Sequence, residues 1–460
     1  MATRRTRVST FDAPIPTPAE RRAAGKAWRT QRPRAELGGW DPPSSRFDPV
    51  ALIAESNSTR VPELVPLRHQ RMALSPFTFL RGSALVMAHD LASQPSTGID
   101  VQLCGDAHLS NFGIYASPER RLVFDLNDFD ETAPGPFEWD VKRLAASLVV
   151  AGRDNGFDRI ECRRAVLRGV GAYRDWIERY STRTHLDVWY SHIDVNELVD
   201  MIRSAAGRRQ ASRQLEKVAA KNHLKAFTKL TTVVDGRQQI VDDPPIVVRF
   251  DAPELRERLE QVLGGYRASL TADRRALFDR YRFVDFARKV VGVGSVGTRC
   301  WIVLLQGPNG GPLFLQVKEA RGASPDLALG RRGPRHAGRR VVEGQRMLQA
   351  TGDVLLGWAT DDATGIDYFV RQMWDSKGSV DVAGMAPKAL ALYADFCGWA
   401  LARSHARTGD SVTISGYVGA SERFGEVMAD FAEAYADQTE RDHAAFVAAI
   451  ADGRLPSVPD

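Results

Sequence analysis

Two short stretches decide how this chain is read: Cys104-Gly105-Asp106-Ala107-His108-Leu109-Ser110-Asn111 and Phe124-Asp125-Leu126-Asn127-Asp128. Asp106 and Asn111 stand five residues apart, in a loop after the apolar run Val101–Leu103. Asp125 follows fourteen residues after Asn111, at the end of a second apolar run, Leu122–Phe124. Kinase-type phosphoryl transfer needs such a set. One carboxylate orients the substrate hydroxyl, while an amide and a second carboxylate hold the Mg²⁺ that neutralises the phosphates.

Around these stretches the elements alternate. Apolar residues recur at helical spacing over Phe47–Ser58, Val61–Leu74 and Phe79–Ala92. Ile99–Leu103 reads as a strand. Ile114-Tyr115 and Leu122–Phe124, joined by a turn at Ser117–Arg120, read as a hairpin that delivers Asp125. The loop Pro134–Asp140 feeds a helix over Val141–Ala151, with Asp140 as its expected N-cap. Residues 159–232 read as helical and polar. Within them Arg213, Lys217, Lys221, Lys225 and Lys229 form a basic stripe that drifts by about 40° per repeat. A solvated face is the expectation, with an anion-binding surface as its rival. A helix follows over Ala252–Gln261, with an extension to Leu277 as the alternative; helices return at Lys388–Ala406 and Glu422–Ile450.

Between them lies a β-rich region with a second constellation. Gly292-Val293-Gly294-Ser295-Val296-Gly297 matches GxGxxG, a weak signal alone. A dinucleotide-binding version opens a helix. Here the β-branched run Thr298–Leu305 follows, so the arrangement is strand, Gly loop, strand, as in kinases that cover ATP phosphates with backbone amides. The next strand, Leu313–Lys318, ends in one of only ten lysines among 62 basic residues. Lys318 is the expected phosphate grip and Glu343 its expected helix partner; Glu319 points to the opposite strand face. Gly292, Gly294 and Gly297 form the expected lid. Tyr368–Trp374, with Gln372 and Met373, is the expected hinge that accepts adenine. The order is reversed, since in ordinary kinases the Gly loop and Lys precede the catalytic Asp. Circular permutation explains this economically.

Composition excludes other classes. A chain of 460 residues can bury a large core and should hold two or three domains. Net charge of +5 is too mild to imply nucleic acid. The four cysteines have no metal-site spacing and read as reduced thiols of a cytoplasmic protein. No segment is apolar and long enough to span a membrane. Residues 1–40 read as a mobile basic arm, with targeting as an alternative. The division expected is 41–155 for the catalytic loop and metal site, 156–278 for a helical part of the same lobe, 279–380 for the β-rich nucleotide lobe, and 381–460 for helices packing on the large lobe.

From Ser75-Pro76-Phe77-Thr78-Phe79-Leu80-Arg81-Gly82 through Arg143, and again at Val317–Ala320, Arg340–Arg346, Leu401–Asp410 and Tyr435–Gln438, the chain resembles an uncharacterised bacterial family, domain-of-unknown-function family 2252. That likeness supplies no activity. More distantly, Gly105–Asn111 with Asp125 resembles the GDxHxxN…D signature of aminoglycoside-phosphotransferase-like kinases. His108 matches it, whereas Cys104 replaces the usual His two residues before the first Asp. The likeness implies that Asp140 braces the catalytic loop.

The reading is therefore an α+β, two-lobed, protein-kinase-like fold, circularly permuted, that binds ATP and Mg²⁺ and phosphorylates a hydroxyl of a small molecule or protein. Asp106 is the expected base with His108 beside it; Asn111, Asp125 and Asp128 are the expected metal ligands. Asp130 and Glu131 could add a ligand, bind a cationic substrate, or form a solvated loop. Rivals are a nucleotide-binding pseudokinase, an AMP transferase on the same residues, and a metal phosphoesterase built on Asp106, His108, Asp125 and Asp128. Arg81-Gly82, His405 and the Tyr435/Gln438/Asp442 helix face find no place in the kinase template.

Overall fold

The strand Pro312–Glu319 is buried at every position, which explains why it reads as an almost continuous apolar run. It lies inside a six-stranded antiparallel sheet, in the order Gly357–Asp361, Ile366–Gln372, Pro312–Glu319, Cys300–Gln306, Arg282–Lys289, Val247–Arg249. This computed structural model describes residues 14–202, 204–219, 223–373 and 378–458. One sheet face presents Trp301, Val303, Leu315, Val317 and Val370 to Leu259, Val262, Leu263 and Tyr266 of the Pro253–Ser269 helix. The other presents Val247, Ile302, Leu304, Phe314 and neighbouring Met373 to Phe227, Leu230 and Ile240. The unit that holds the sheet thus begins well before residue 279. The 253–269 helix buries its apolar side on the sheet, and the 247–249 strand is the sheet's edge.

The other half is helical. In the Phe137–Asp154 helix every residue from Phe137 to Gly152 is buried. The Arg159–Ser181, Pro387–Thr408 and Arg423–Ala451 helices surround it in one apolar core. The Ala337–Leu348 helix ties the halves together. Its Val341, Val342 and Leu348 join this core alongside Leu356 and Phe369 of the sheet side. The molecule is a mixed α+β structure with small antiparallel sheets.

Several elements differ from the sequence reading. Residues 1–13 and 459–460 lie outside the described part, but Pro18–Gln31 is a helix, opened by a Thr17/Glu20 capping box, not a mobile arm. Arg29 of this helix, with Arg34 just beyond it, caps another helix: the two donate to the carbonyls of Gly416, Tyr417 and Val418, at the end of Ser411–Val418. Gly25 packs so closely there that a Cβ would lie 2.1 Å from the Thr413 carbonyl oxygen. The expected 79–92 helix is two helices, Pro76–Gly82 and Ala84–Ala92. The carbonyls of Leu80 and Gly82 at the break accept from Arg143 and Arg68 instead of continuing the helix. The stretch read as helical holds the helices Arg159–Ser181, His185–Tyr190, Val195–Asp200, Ala205–Ala219 and His223–Leu230, and only at its end does a Thr231–Val234/Arg237–Ile240 hairpin begin. Arg213, Lys217 and Lys229 are exposed; Lys221 and the Lys225 side chain lie outside the described residues. The Tyr435/Gln438/Asp442 face is an anchor. Tyr435 donates to Asp90 at 2.8 Å, and Arg46 bridges Asp90 and Asp442.

Candidate functional site

The loop after the Asp100–Leu103 strand is held from below. Asp140 accepts the backbone N–H groups of Cys104 at 2.7 Å and Gly105 at 3.0 Å. The 137–154 helix starts at Phe137, so Asp140 lies in its first turn and is not its N-cap. His405 Nε2 lies 3.3 Å from Asp140, and Tyr173 meets His405 Nδ1 at 3.0 Å. All three are buried. His405 thus has a structural place, in the layer that fixes Asp140. Gly105 must be glycine: its φ is +83°, and a Cβ would lie 2.0 Å from the Glu131 carbonyl oxygen. The Asp106 loop and the 128–132 loop are therefore in backbone contact.

Asp106 accepts from Arg143 Nε at 2.8 Å, and Arg143 also donates to the Leu80 carbonyl at 2.6 Å. Asn111 Nδ2 donates to the Asp106 carbonyl at 2.7 Å, closing the loop on itself. His108 Nε2 is 3.6 Å from the Asp106 carboxylate, while its Nδ1 accepts the Ser110 N–H. Burial, then Arg143 and Arg81, push the His108 pKa far down. It is a neutral, loop-shaping imidazole. Burial pushes the Asp106 carboxyl up; Arg143 opposes this and Asp128 adds to it. Arg143 was missed from sequence, although it lies three residues after Asp140 on the same helix side.

Lys318 reaches this region from the sheet. Its Nζ is ion-paired with Asp130. Burial lowers the Lys318 pKa, but Asp128 and Asp130 more than offset it, so the net shift is upward. Asp130 is raised to about 6 by burial and by Asp128. Asp128 thus lies within electrostatic reach of Asp106, Asp130 and Lys318.

Two expected partners are absent from this group. Glu343 is on the outer face of its helix, paired with Arg339 at 2.7 Å. The inward face instead carries Arg340, which donates to the Asp130, Thr132 and Arg321 carbonyls, and Gly344, whose Cβ would meet Thr132 at 2.4 Å. The helix packs on the 130–132 backbone and sends no acid to Lys318. Asp125 is likewise withdrawn. It is 2 % exposed, and both its oxygens accept from Arg403 Nη2 at 2.7 Å. The hairpin forms as expected, with Phe112–Ala116 pairing Leu122–Leu126, but it aims Asp125 into the helical core. The phosphoesterase set is therefore not assembled.

The Gly loop joins Arg282–Lys289 to Cys300–Gln306. Gly292 and Gly297 have positive φ, and a Cβ on Gly294 would lie 3.0 Å from the Arg81 carbonyl oxygen. The loop is docked on the helical half: Arg71 donates to Gly292 at 2.7 Å, Arg60 to Val296 at 2.6 Å, and the Val61 N–H to Gly297 at 2.8 Å. Arg60 also interacts with Glu131, Glu319 and Asp130, which places the loop beside the Lys318 site. At the expected hinge, the Gln372 N–H donates to Asp353 and the Met373 N–H to Phe314. Met373 is buried against Phe227 and Leu230, so these two amides are engaged within the chain. Trp374 lies outside the described residues.

The family model described as an uncharacterized protein conserved in bacteria (DUF2252) matches residues 60–449. The chain belongs to that family. The match runs from Arg60 to Ala449 and contains every residue named in the site above. No curated protein and no solved structure matches the chain. No helix among the described residues is long and apolar enough to cross a membrane. Among them no three His, Cys, Asp or Glu side chains are grouped to hold a metal unaided.

Proposed function

We propose that the chain is a kinase-like phosphotransferase of permuted order, moving the γ-phosphoryl group of ATP to a hydroxyl. The observation that carries this reading is the Lys318–Asp130 ion pair, which joins the strand lysine behind the Gly loop to the acidic loop beside Asp106. In this reading Asp106, held by Arg143, takes the hydroxyl proton as the new O–P bond forms and the bond to the departing ADP breaks. Lys318 turns from Asp130 to the phosphates. Asp140 keeps the Asp106 loop in place.

The donor set suits Mg²⁺, which takes one or two protein oxygens and completes its octahedron with phosphates and water. Asp128 and Asn111 are the residues to hold it. Its chemistry would be neutralisation of phosphate charge. Asp125 has no part. A cytoplasmic location fits an ATP-using enzyme with four free, buried thiols.

The test is a mass-resolved assay of the purified protein with ATP and Mg²⁺ against small-molecule and protein extracts. A gain of one phosphate supports the proposal. A gain of AMP points to nucleotidyl transfer. ATP binding without either product, unchanged in Asp106→Asn, points to a binding module. In an active enzyme Asp106→Asn should lower turnover by roughly two orders of magnitude, the scale of a lost general base.

A further inference from the structure

A cavity of about 730 Å³ opens beside the Asp106 loop, lined in part by Phe77, Thr78, Arg81, Ser110, Asp154 and Asp381. That volume is in the range of sites that enclose small organic ligands. Its connection to the chemistry is covalent and short. Ser110 precedes Asn111, and Arg81 interacts electrostatically with both Asp106 and His108. The Pro76–Gly82 helix that forms one wall also supplies the carbonyls gripped by Arg143 and Arg68 and the backbone against which Gly294 packs. The cavity wall, the Asp106 loop and the Gly loop are thus one mechanical unit.

Its charges are divided. Arg81 makes no hydrogen bond or ion pair among the described residues. Its Nε is sealed from solvent without a partner, and its guanidinium lies 5.9 Å from the centroid of the Phe77 ring. Because Arg81 lines the cavity without a carboxylate or carbonyl partner among the described residues, its guanidinium is open to an oxyanion there. Asp154 uses one oxygen on the Phe77 N–H at 3.1 Å, and Asp381 uses one on the Ala383 N–H at 3.1 Å. Neither has an ion-pair partner among the described residues. Hydroxyls of Thr78 and Ser110 lie in the same lining.

We propose that this cavity is the acceptor site and that its acceptor is a hydroxylated zwitterion, with an oxyanion bound by Arg81 and an ammonium held against Asp154 and Asp381. This rests on the phosphotransferase reading for the word acceptor, but not for binding. A carboxylate and a phosphate diester offer Arg81 the same two-oxygen edge.

The test is calorimetry on the full chain without nucleotide, using two probes: glycerophosphoethanolamine and the dipeptide Gly-Ser. Glycerol, which has no charge, and ethanolamine, which has no oxyanion, are the controls. At least one zwitterion should bind while both controls fail, and the better probe names the oxyanion. Arg81→Gln should weaken that binding about tenfold or more, the scale of one charge-assisted hydrogen bond. Asp154→Asn should weaken it less. Arg81 has no hydrogen bond to lose, so Arg81→Gln should melt near wild type; if it does not, Arg81→Lys, which keeps charge but loses the fork, should weaken binding to an intermediate degree. Failure of both zwitterions to bind, or undiminished binding to the Arg81 variants, overturns the proposal. A separate Mg·ATP titration of the same samples reports on the phosphotransferase reading, so either idea can fail alone.

Discussion

Lys318 Nζ is ion-paired with Asp130 across 188 residues of chain, with the lysine side chain 2 % exposed. Removing only the carboxylate leaves an ammonium buried, which costs about 3 kcal/mol. Asp130→Asn should therefore destabilise more than Lys318→Met. The double variant should recover part of the loss, with a coupling on the order of 1–3 kcal/mol. Urea unfolding of the four proteins measures this. Losses that add within about 0.5 kcal/mol would mean that the pair does not form in solution.

Asp125 and Asp128 should separate cleanly. Asp125→Asn breaks a buried pair with Arg403, itself fully buried, and should cost about 3 kcal/mol of stability whatever ligand is present. Asp128→Asn should cost less stability than Asp125→Asn and should lose Mg-dependent stabilisation by ATP. Melting curves with and without Mg·ATP check both. The reverse pattern would restore Asp125 as the metal ligand.

Asp140→Ala removes the acceptor of two amides and the partner of His405. A loss of about 2 kcal/mol or more is expected. Hydrogen exchange at Cys104 and Gly105 should speed up while amides of the 312–319 strand stay protected. Unchanged exchange at these two positions would remove Asp140 from the bracing role.

Lys142 offers a pH test. It is 1 % exposed, with Nζ 4.3 Å from the centroid of the Phe431 ring, and burial pulls its pKa from 10.5 to about 8. The unfolded chain holds this proton more tightly, so burial of the charge destabilises the fold fully below pH 8. That penalty fades as pH rises toward 10.5. Lys142→Met should stabilise by about 2–3 kcal/mol near pH 7, and the gain should shrink through the window from pH 8 to 10.5. Denaturant titrations at pH 7 and pH 10 measure it; an equal gain at both would show that charge is not the cause.

What the sequence determined by itself was local. Turn residues and period-two patterns located the 112–126 hairpin and the strand–Gly loop–strand run, because those choices depend on neighbours a few residues away. A lysine at the end of an apolar strand is also visible without a fold. Tertiary structure decided which charges meet. Spacing favours Asp125 over Asp128, three residues further on, yet the strand's register turns Asp125 toward Arg403 and leaves Asp128 beside Lys318. Glu343 lost its expected role because the inward face of its helix is filled by Arg340 and Gly344 against the 130–132 backbone. Residues 18–31 became a docked helix because Arg29 found open carbonyls nearly four hundred residues later, at Gly416 and Tyr417. Spacing sets which side a residue occupies on its own element; only packing brings distant elements together, and ion pairs act over a few ångströms of space, not along the chain.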